Sequence, residues 1–174
     1  MTIIKKRQQL KIIDNFLECP LIWRSFALNQ NFIKDESGYP GYKSLPLDEI
    51  NNEIFHSFAG KLIQHVTVAR NRFDRLKVQF AYSMADEVQG NIHQDEPFYN
   101  IAGLIYLNEI SPLNTGTLFY SRNVNGELYQ SLVVENVFNR MIIFDPQIWH
   151  APANLFGTTI DDARLTITFF GIAS

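Results

Sequence analysis

Four side chains in the second half of the chain could share one piece of chemistry. His93 and Asp95 stand two residues apart in "NIHQDEPFYN" (91–100). In an extended segment residues i and i+2 point to the same side, so both could reach one ion while Gln94 faces away. The pair alone is weak evidence. With four His and 18 acidic residues in a chain of 174, such a spacing arises often by chance. His150 follows the apolar run "RMIIFDPQIW". A histidine at the end of a buried strand is either satisfied by a hydrogen bond or used as a ligand. Arg164 sits in "ARLTITFF", where Arg164, Thr166 and Thr168 share one face and Leu165, Ile167 and Phe169 the other. A guanidinium on an inward face needs an anion. That anion is either Asp161 or Asp162 just upstream, or a bound carboxylate, which arginine matches bidentately.

The four residues make sense together. Two histidines and one carboxylate on one face of an iron form the triad of non-haem Fe(II) oxygenases, which leaves coordination positions open. Those positions suit 2-oxoglutarate, bound through its keto oxygen and adjacent carboxylate, and O2. The far carboxylate of the cosubstrate then needs a cation deeper in the fold, and Arg164 is placed to supply it.

These residues require a rigid, mainly β scaffold. From Phe73 onward the chain is a series of short runs rich in β-branched and aromatic residues: "RLKVQFAYSM", "YNIAGLIYLNE", "GTLFYS", "LYQSLVVE", "RMIIFD" and "ARLTITFFGI". Turn signals such as Asn125-Gly126 separate them. In the first run Val78, Phe80 and Tyr82 alternate with Lys77, Gln79 and Ala81. The first third reads as helical. "DNFLECPLIWRSFALNQ" has apolar residues at helical spacing, with Pro20 as a break or first-turn residue. Ile50, Ile54, Phe58, Leu62 and Val66 form the stripe of one amphipathic helix, with Asp48 and Glu53 near its start. "KDESGYPGYKSLP" (34–46) is a loop between them. Helices followed by many strands imply a sandwich or barrel with helices on one face. The expectation is one domain over 1–174, with 1–69 as helical support and 70–174 as the β core.

Composition limits the function classes. The net charge of −3, with only the short run Lys5-Lys6-Arg7 and scattered Arg70, Arg72 and Arg75, argues against nucleic acid as a partner. No segment has the length of a membrane span. The single cysteine, Cys19, allows no internal disulfide and reads as a small core residue in a reducing compartment, so a cytoplasmic location is expected. His56 and His65 fall on the amphipathic helix and read as packing or exposed residues.

At this level the sequence resembles the Fe(II)/2-oxoglutarate-dependent dioxygenases, and among them the prolyl-4-hydroxylase-like branch. The resemblance rests on His93-x-Asp95, then His150, then Arg164-x-Thr166, and covers roughly Phe73 to Gly171. "LIYLNE" resembles the family strand whose tyrosine, here Tyr106, hydrogen-bonds the distal carboxylate. "TGTLFY" resembles a Gly-Gly-x-Leu segment, with Gly116 retained and Thr115 in place of the first glycine. Tyr82, eleven residues before His93, matches a second tyrosine of the cosubstrate pocket. The opening "IDNFLECPLIWRSFAL" with "YPGYKS" resembles small members found in bacteria and their phages. The spacing of fourteen between His150 and Arg164 is longer than is usual there, so "NLFGTTIDDA" must form a longer loop at the barrel mouth.

The resemblance implies a double-stranded β-helix, a jelly-roll barrel like that of cupins. It also implies Fe(II), 2-oxoglutarate and O2 as cofactor and cosubstrates, with release of succinate and CO2 as a C–H bond is hydroxylated. His93, Asp95 and His150 are the expected metal ligands and catalytic residues. Arg164, Thr166, Tyr106 and Tyr82 are the expected cosubstrate residues. Asp95 favours hydroxylation over halogenation, which replaces that carboxylate by a small residue. The expected substrate is a residue of a protein or peptide; a free amino acid or small metabolite is the alternative, a non-catalytic ligand-binding barrel is a third class, and a cupin-type metalloenzyme without 2-oxoglutarate is a further variant. Phe98, Tyr99, Phe119 and Trp149 either pack the barrel or line a substrate mouth. "SGYPGYKS" (37–44) is either a lid or a connector.

Overall fold

The computed structural model describes residues 10–36, 39–88 and 90–174. In chain order its elements are β1 (Lys11–Ile13), α1 (Pro20–Leu28), β2 (Phe32–Lys34), β3 (Tyr42–Pro46), α2 (Leu47–Ile50), α3 (Asn52–Leu62), β4 (Phe73–Ser83), β5 (Ile101–Tyr106), β6 (Thr117–Arg122), β7 (Leu128–Val134), β8 (Met141–Phe144), β9 (Trp149–Pro152) and β10 (Arg164–Ala173). A seven-stranded sheet runs β1-β8-β5-β10-β4-β3-β2, and a three-stranded sheet runs β7-β6-β9. All pairings are antiparallel. The architecture is the expected mainly β double-stranded β-helix.

The two-residue alternation of the large sheet sends side chains to two destinations. Val78 and Phe80 of β4, Ile101 and Ile105 of β5, Met141 and Ile143 of β8, and Leu165, Ile167 and Phe169 of β10 pack with Phe58 and Leu62 of α3 in one core. The opposite parity faces the small sheet, where Ala102, Ile142 and Phe144 meet Phe119 and Val134 in a second core. This is why β8 is buried at every position and reads as an unbroken apolar run. The register puts Arg164, Thr166 and Thr168 opposite Ser83, Ala81 and Gln79, and Thr166 opposite Tyr106, so these polar groups share the inner face.

The N-terminal third departs from its expected helical form. It contributes three strands, because β1 and β3 complete the large sheet by pairing with β8 and β4, and β2 pairs with β3. The segment read as a loop over 34–46 therefore ends in β3. The expected single helix is broken at Asn51, whose extended backbone ends α2 and whose side chain accepts the Ile54 N–H at 3.1 Å. That is the geometry of an N-cap, which asparagine favours. Ile54, Phe58 and Leu62 keep the predicted stripe on α3. Pro20 occupies the first turn of α1 as expected. Cys19 is exposed just before that helix rather than buried. The Lys5-Lys6-Arg7 run lies outside the described residues. Among the described residues no helix is long and apolar enough to cross a membrane.

Candidate metal centre and anion pocket

His150 lies on β9, directly opposite Phe119 of β6. It is buried, and the rings of Phe144 and Phe119 lie 4.8 and 6.3 Å from its own. His93 joins the free edge of β9 through an isolated bridge: each histidine's N–H donates to the other's carbonyl at 2.9 Å. Asp95 follows in irregular backbone, with its N–H donating to the Pro146 carbonyl at 2.9 Å. Sequence reasoning placed His93 and Asp95 together through strand alternation. The structure brings them together through this bridge and turn instead.

Both imidazoles present the same nitrogen. Nδ1 of His93 lies 2.9 Å from the Asn91 carbonyl, and Nδ1 of His150 lies 2.9 Å from the Ile148 carbonyl. A carbonyl can only accept, so each Nδ1 carries the proton and each Nε2 offers its lone pair inward. Nε2 of His93 is 3.7 Å from one Asp95 oxygen, and Nε2 of His150 is 3.6 Å from the other. One ligand atom from each residue lies within 4.8 Å of the others. Burial pushes the His150 pKa below its ordinary value, against the pull of the Asp95 carboxylate, whereas that carboxylate holds His93 above its ordinary value.

A divalent cation fits this arrangement. Asp95 Oδ2 is buried and, among the described residues, has no hydrogen-bond partner. An orphaned buried carboxylate oxygen is costly, and a cation shared with two imidazole lone pairs removes the cost. Two His nitrogens and one carboxylate are the donor set of a facial triad.

The triad opens into a cavity of about 470 Å3 that is also lined by Arg164, Thr117 and Thr168. Arg164 is 3% exposed. Among the described residues its guanidinium donates to neutral acceptors: the carbonyls of Thr115 and Gly116 at 3.3 and 3.4 Å, and Thr117 Oγ1 at 3.4 Å. It also lies 5.5 Å from the centre of the Tyr106 ring. Asp161 and Asp162 are exposed and do not pair with it. Asp162 caps Thr158 and Thr159, and the Asp161 carbonyl accepts from Arg24. Among the described residues no carboxylate lies within ion-pair distance of Arg164, so a buried positive charge faces the cavity uncompensated. Tyr106 is fully buried, its hydroxyl 2.7 Å from Thr117 Oγ1. Burial raises its pKa, so the phenol stays protonated. Gly116 is required here, since a Cβ would fall 1.8 Å from the Val134 carbonyl oxygen.

Several expected site residues lie elsewhere. Tyr82 shares the parity of Val78 and Phe80, so it points to the helix side, stacked on Tyr42 at 4.8 Å and edge-on to Phe32, away from the cavity. Thr166 is on the inner face, but its hydroxyl turns to the Ala81 carbonyl at 3.3 Å and it does not line the cavity. Of the four aromatics proposed for the substrate mouth, none lines it. Phe119 is core behind His150. Trp149, adjacent to His150, points the opposite way and stacks under Arg122. Phe98 stacks on Tyr99, which in turn packs on Phe170. Of the 37–44 loop, Ser37 and Gly38 lie outside the described residues, while Tyr39, Pro40 and Lys43 line the cavity. Lys43 there pairs with Asp35 at 2.7 Å and lies over the Tyr39 ring. Thr117, Thr168 and Phe144 were missed as lining residues, although Thr168 shares the parity of Arg164. The longer loop after β9 borders a second, more open depression with Arg24 and Glu109, away from the triad.

A family model described as a family of unknown function, DUF6445, matches residues 1–133. That span includes His93, Asp95 and Tyr106 and ends before His150 and Arg164. No curated protein matches the chain. Solved structures match over nearly its whole length. A Pseudomonas putida prolyl-4-hydroxylase aligns with a TM-score of 0.64 at 17% identity, covering 96% of this chain and 94% of that one. A Trichoplax adhaerens prolyl hydroxylase in complex with a hypoxia-inducible-factor oxygen degradation domain peptide aligns at 0.67 and 17%, covering 94% and 83%. HygX from Streptomyces hygroscopicus, with nickel, 2-oxoglutarate and hygromycin B bound, aligns at 0.66 and 13%, covering 98% and 85%. The fold is that of the Fe(II)/2-oxoglutarate oxygenases, prolyl-4-hydroxylases among them.

Proposed function

This chain belongs to the family of unknown function DUF6445, and we propose that it is an Fe(II)- and 2-oxoglutarate-dependent oxygenase that hydroxylates an unactivated C–H bond. The observation that carries this reading is the uncompensated Arg164 guanidinium in the same cavity as the His93, Asp95 and His150 donors. A metal site alone fits many activities. A metal site and a buried cation in one cavity suit a small dicarboxylate.

In this reading His93 and His150 would hold the metal through Nε2 and Asp95 through its carboxylate. When bound, Fe(II) with 2-oxoglutarate and O2 supplies the oxidising power that converts C–H to C–OH as the cosubstrate becomes succinate and CO2. The chain's own part is placement. Arg164 and Thr117 would meet the distal carboxylate, with the Tyr106 phenol fixing Thr117 from behind. Phe144, Leu104 and Phe170 line the cavity with apolar surface and limit water.

The substrate proposed is a residue of a protein or peptide. In support, the rim is open: the His93 side chain is 47% exposed, and Asn91, Gln94 and Glu96 beside it are exposed. A residue carried on a chain could reach it without being enclosed. The second reading, a small-molecule substrate, draws on the likeness to HygX with its bound hygromycin B. A cytoplasmic location is proposed on the free thiol of Cys19. Purified protein given Fe(II), ascorbate and 2-oxoglutarate should release succinate slowly even without substrate. Metal binding with no affinity for 2-oxoglutarate would overturn the proposal.

A further inference from the structure

Asp95 is not held by a strand, yet it must keep its carboxylate opposite two imidazoles. We propose that Gln147 is the positioning residue that does this, a role that rests on the metal-site reading above. The Gln147 side-chain amide donates from Nε2 to the Asp95 carbonyl at 3.0 Å. The Asp95 N–H donates to the carbonyl of the neighbouring Pro146. Both backbone groups of the ligand residue are thus engaged by one two-residue stretch. Gln94 closes the link from the other side, donating from Nε2 to the Gln147 carbonyl at 2.5 Å.

The stretch is itself anchored. The Gln147 N–H donates to Asp145 Oδ1 at 2.9 Å, and the Ile148 N–H donates to the Asp145 carbonyl at 2.9 Å. Three residues after Gln147 the chain delivers His150 on β9. The Gln147 amide therefore ties the Asp95 backbone to the segment that carries the buried histidine, where a sheet ladder would otherwise have set the spacing. Both acceptors are carbonyls, so each glutamine must present its NH2 group, and the amide orientation follows from the chemistry. Gln147 does not line the cavity and touches none of the three donor atoms, so it acts through Asp95. Supports of this kind matter because ligands must be held within about 0.5 Å of their working positions.

The test is calorimetric titration of Mn(II) into metal-free wild type, Gln147→Ala and Gln147→Glu, with thermal unfolding of each metal-free protein and absorption spectra of the Co(II) forms. Gln147→Glu keeps the volume but sets an oxygen against the Asp95 carbonyl. Both variants should bind Mn(II) about tenfold or more weakly, the size expected on loss of an outer support. They should also show altered Co(II) bands while retaining a cooperative melt. Affinity within about twofold of wild type in both variants would overturn the role, whatever the melting temperatures. So would a loss seen only where the cooperative melt is lost too, which assigns Gln147 to stability alone. If wild type itself binds no Mn(II), the metal-site reading fails first and takes this inference with it.

Discussion

On the buried side of the site, Arg164, which lines the cavity, and Tyr106, which lies behind it, hang from strands that are paired on both sides, β10 between β4 and β5, and β5 between β10 and β8. At the open end, His93 is held by a two-bond bridge and Asp95 by a turn. The first arrangement is built from long-range ladders and costs the fold dearly if disturbed. The second is assembled from a few single hydrogen bonds on the rim of the small sheet. The contrast separates stability from chemistry: the large sheet carries the first, and the rim supplies most of the candidate ligand atoms for the second.

That separation can be broken at graded positions. Phe169→Ala, on the helix side of β10 and fully buried, should lower stability by about 3–5 kcal/mol in denaturant unfolding. A loss under about 1 kcal/mol would deny the large sheet its dominant share. Arg164→Ala should weaken 2-oxoglutarate binding by about 2–4 kcal/mol while leaving Mn(II) affinity in place, read by calorimetry. Unchanged 2-oxoglutarate affinity would move the anchor elsewhere. Tyr106→Phe removes the hydroxyl that meets Thr117 and should cost about 1 kcal/mol of stability. His93→Ala should change the stability of the metal-free protein by no more than about 0.5 kcal/mol, since its half-exposed ring packs little, yet abolish Mn(II) binding. A metal-free His93→Ala protein that is unfolded at room temperature would show that the rim also holds the fold.

The same contrast explains what could be read from the sequence. Strands β4 to β8 and β10 announce themselves because each is long or apolar enough to show its pattern. Three-residue strands such as β1 and β2 carry no readable alternation; their pairing comes from the partner strand. The break at Asn51 was hidden by a stripe that continued across it, since Ile50 and Ile54 keep the spacing although the backbone does not. The candidate metal ligands and Arg164 were legible as residue types in order, but the contact that Gln147 makes with the Asp95 carbonyl comes from more than fifty residues away. Two misplacements were avoidable. Tyr82 shares parity with Val78 and Phe80, and Trp149 has the parity opposite to His150, so alternation alone turns both away from the cavity.

The most direct measurement is calorimetric titration of 2-oxoglutarate into the protein with and without Mn(II), repeated on Asp95→Ala and Arg164→Ala. One metal and one dicarboxylate bridging the two ends of the cavity predicts strong binding only with Mn(II), lost in Asp95→Ala and much weakened in Arg164→Ala. Binding that ignores the metal, or no binding in its presence, would contradict a shared site.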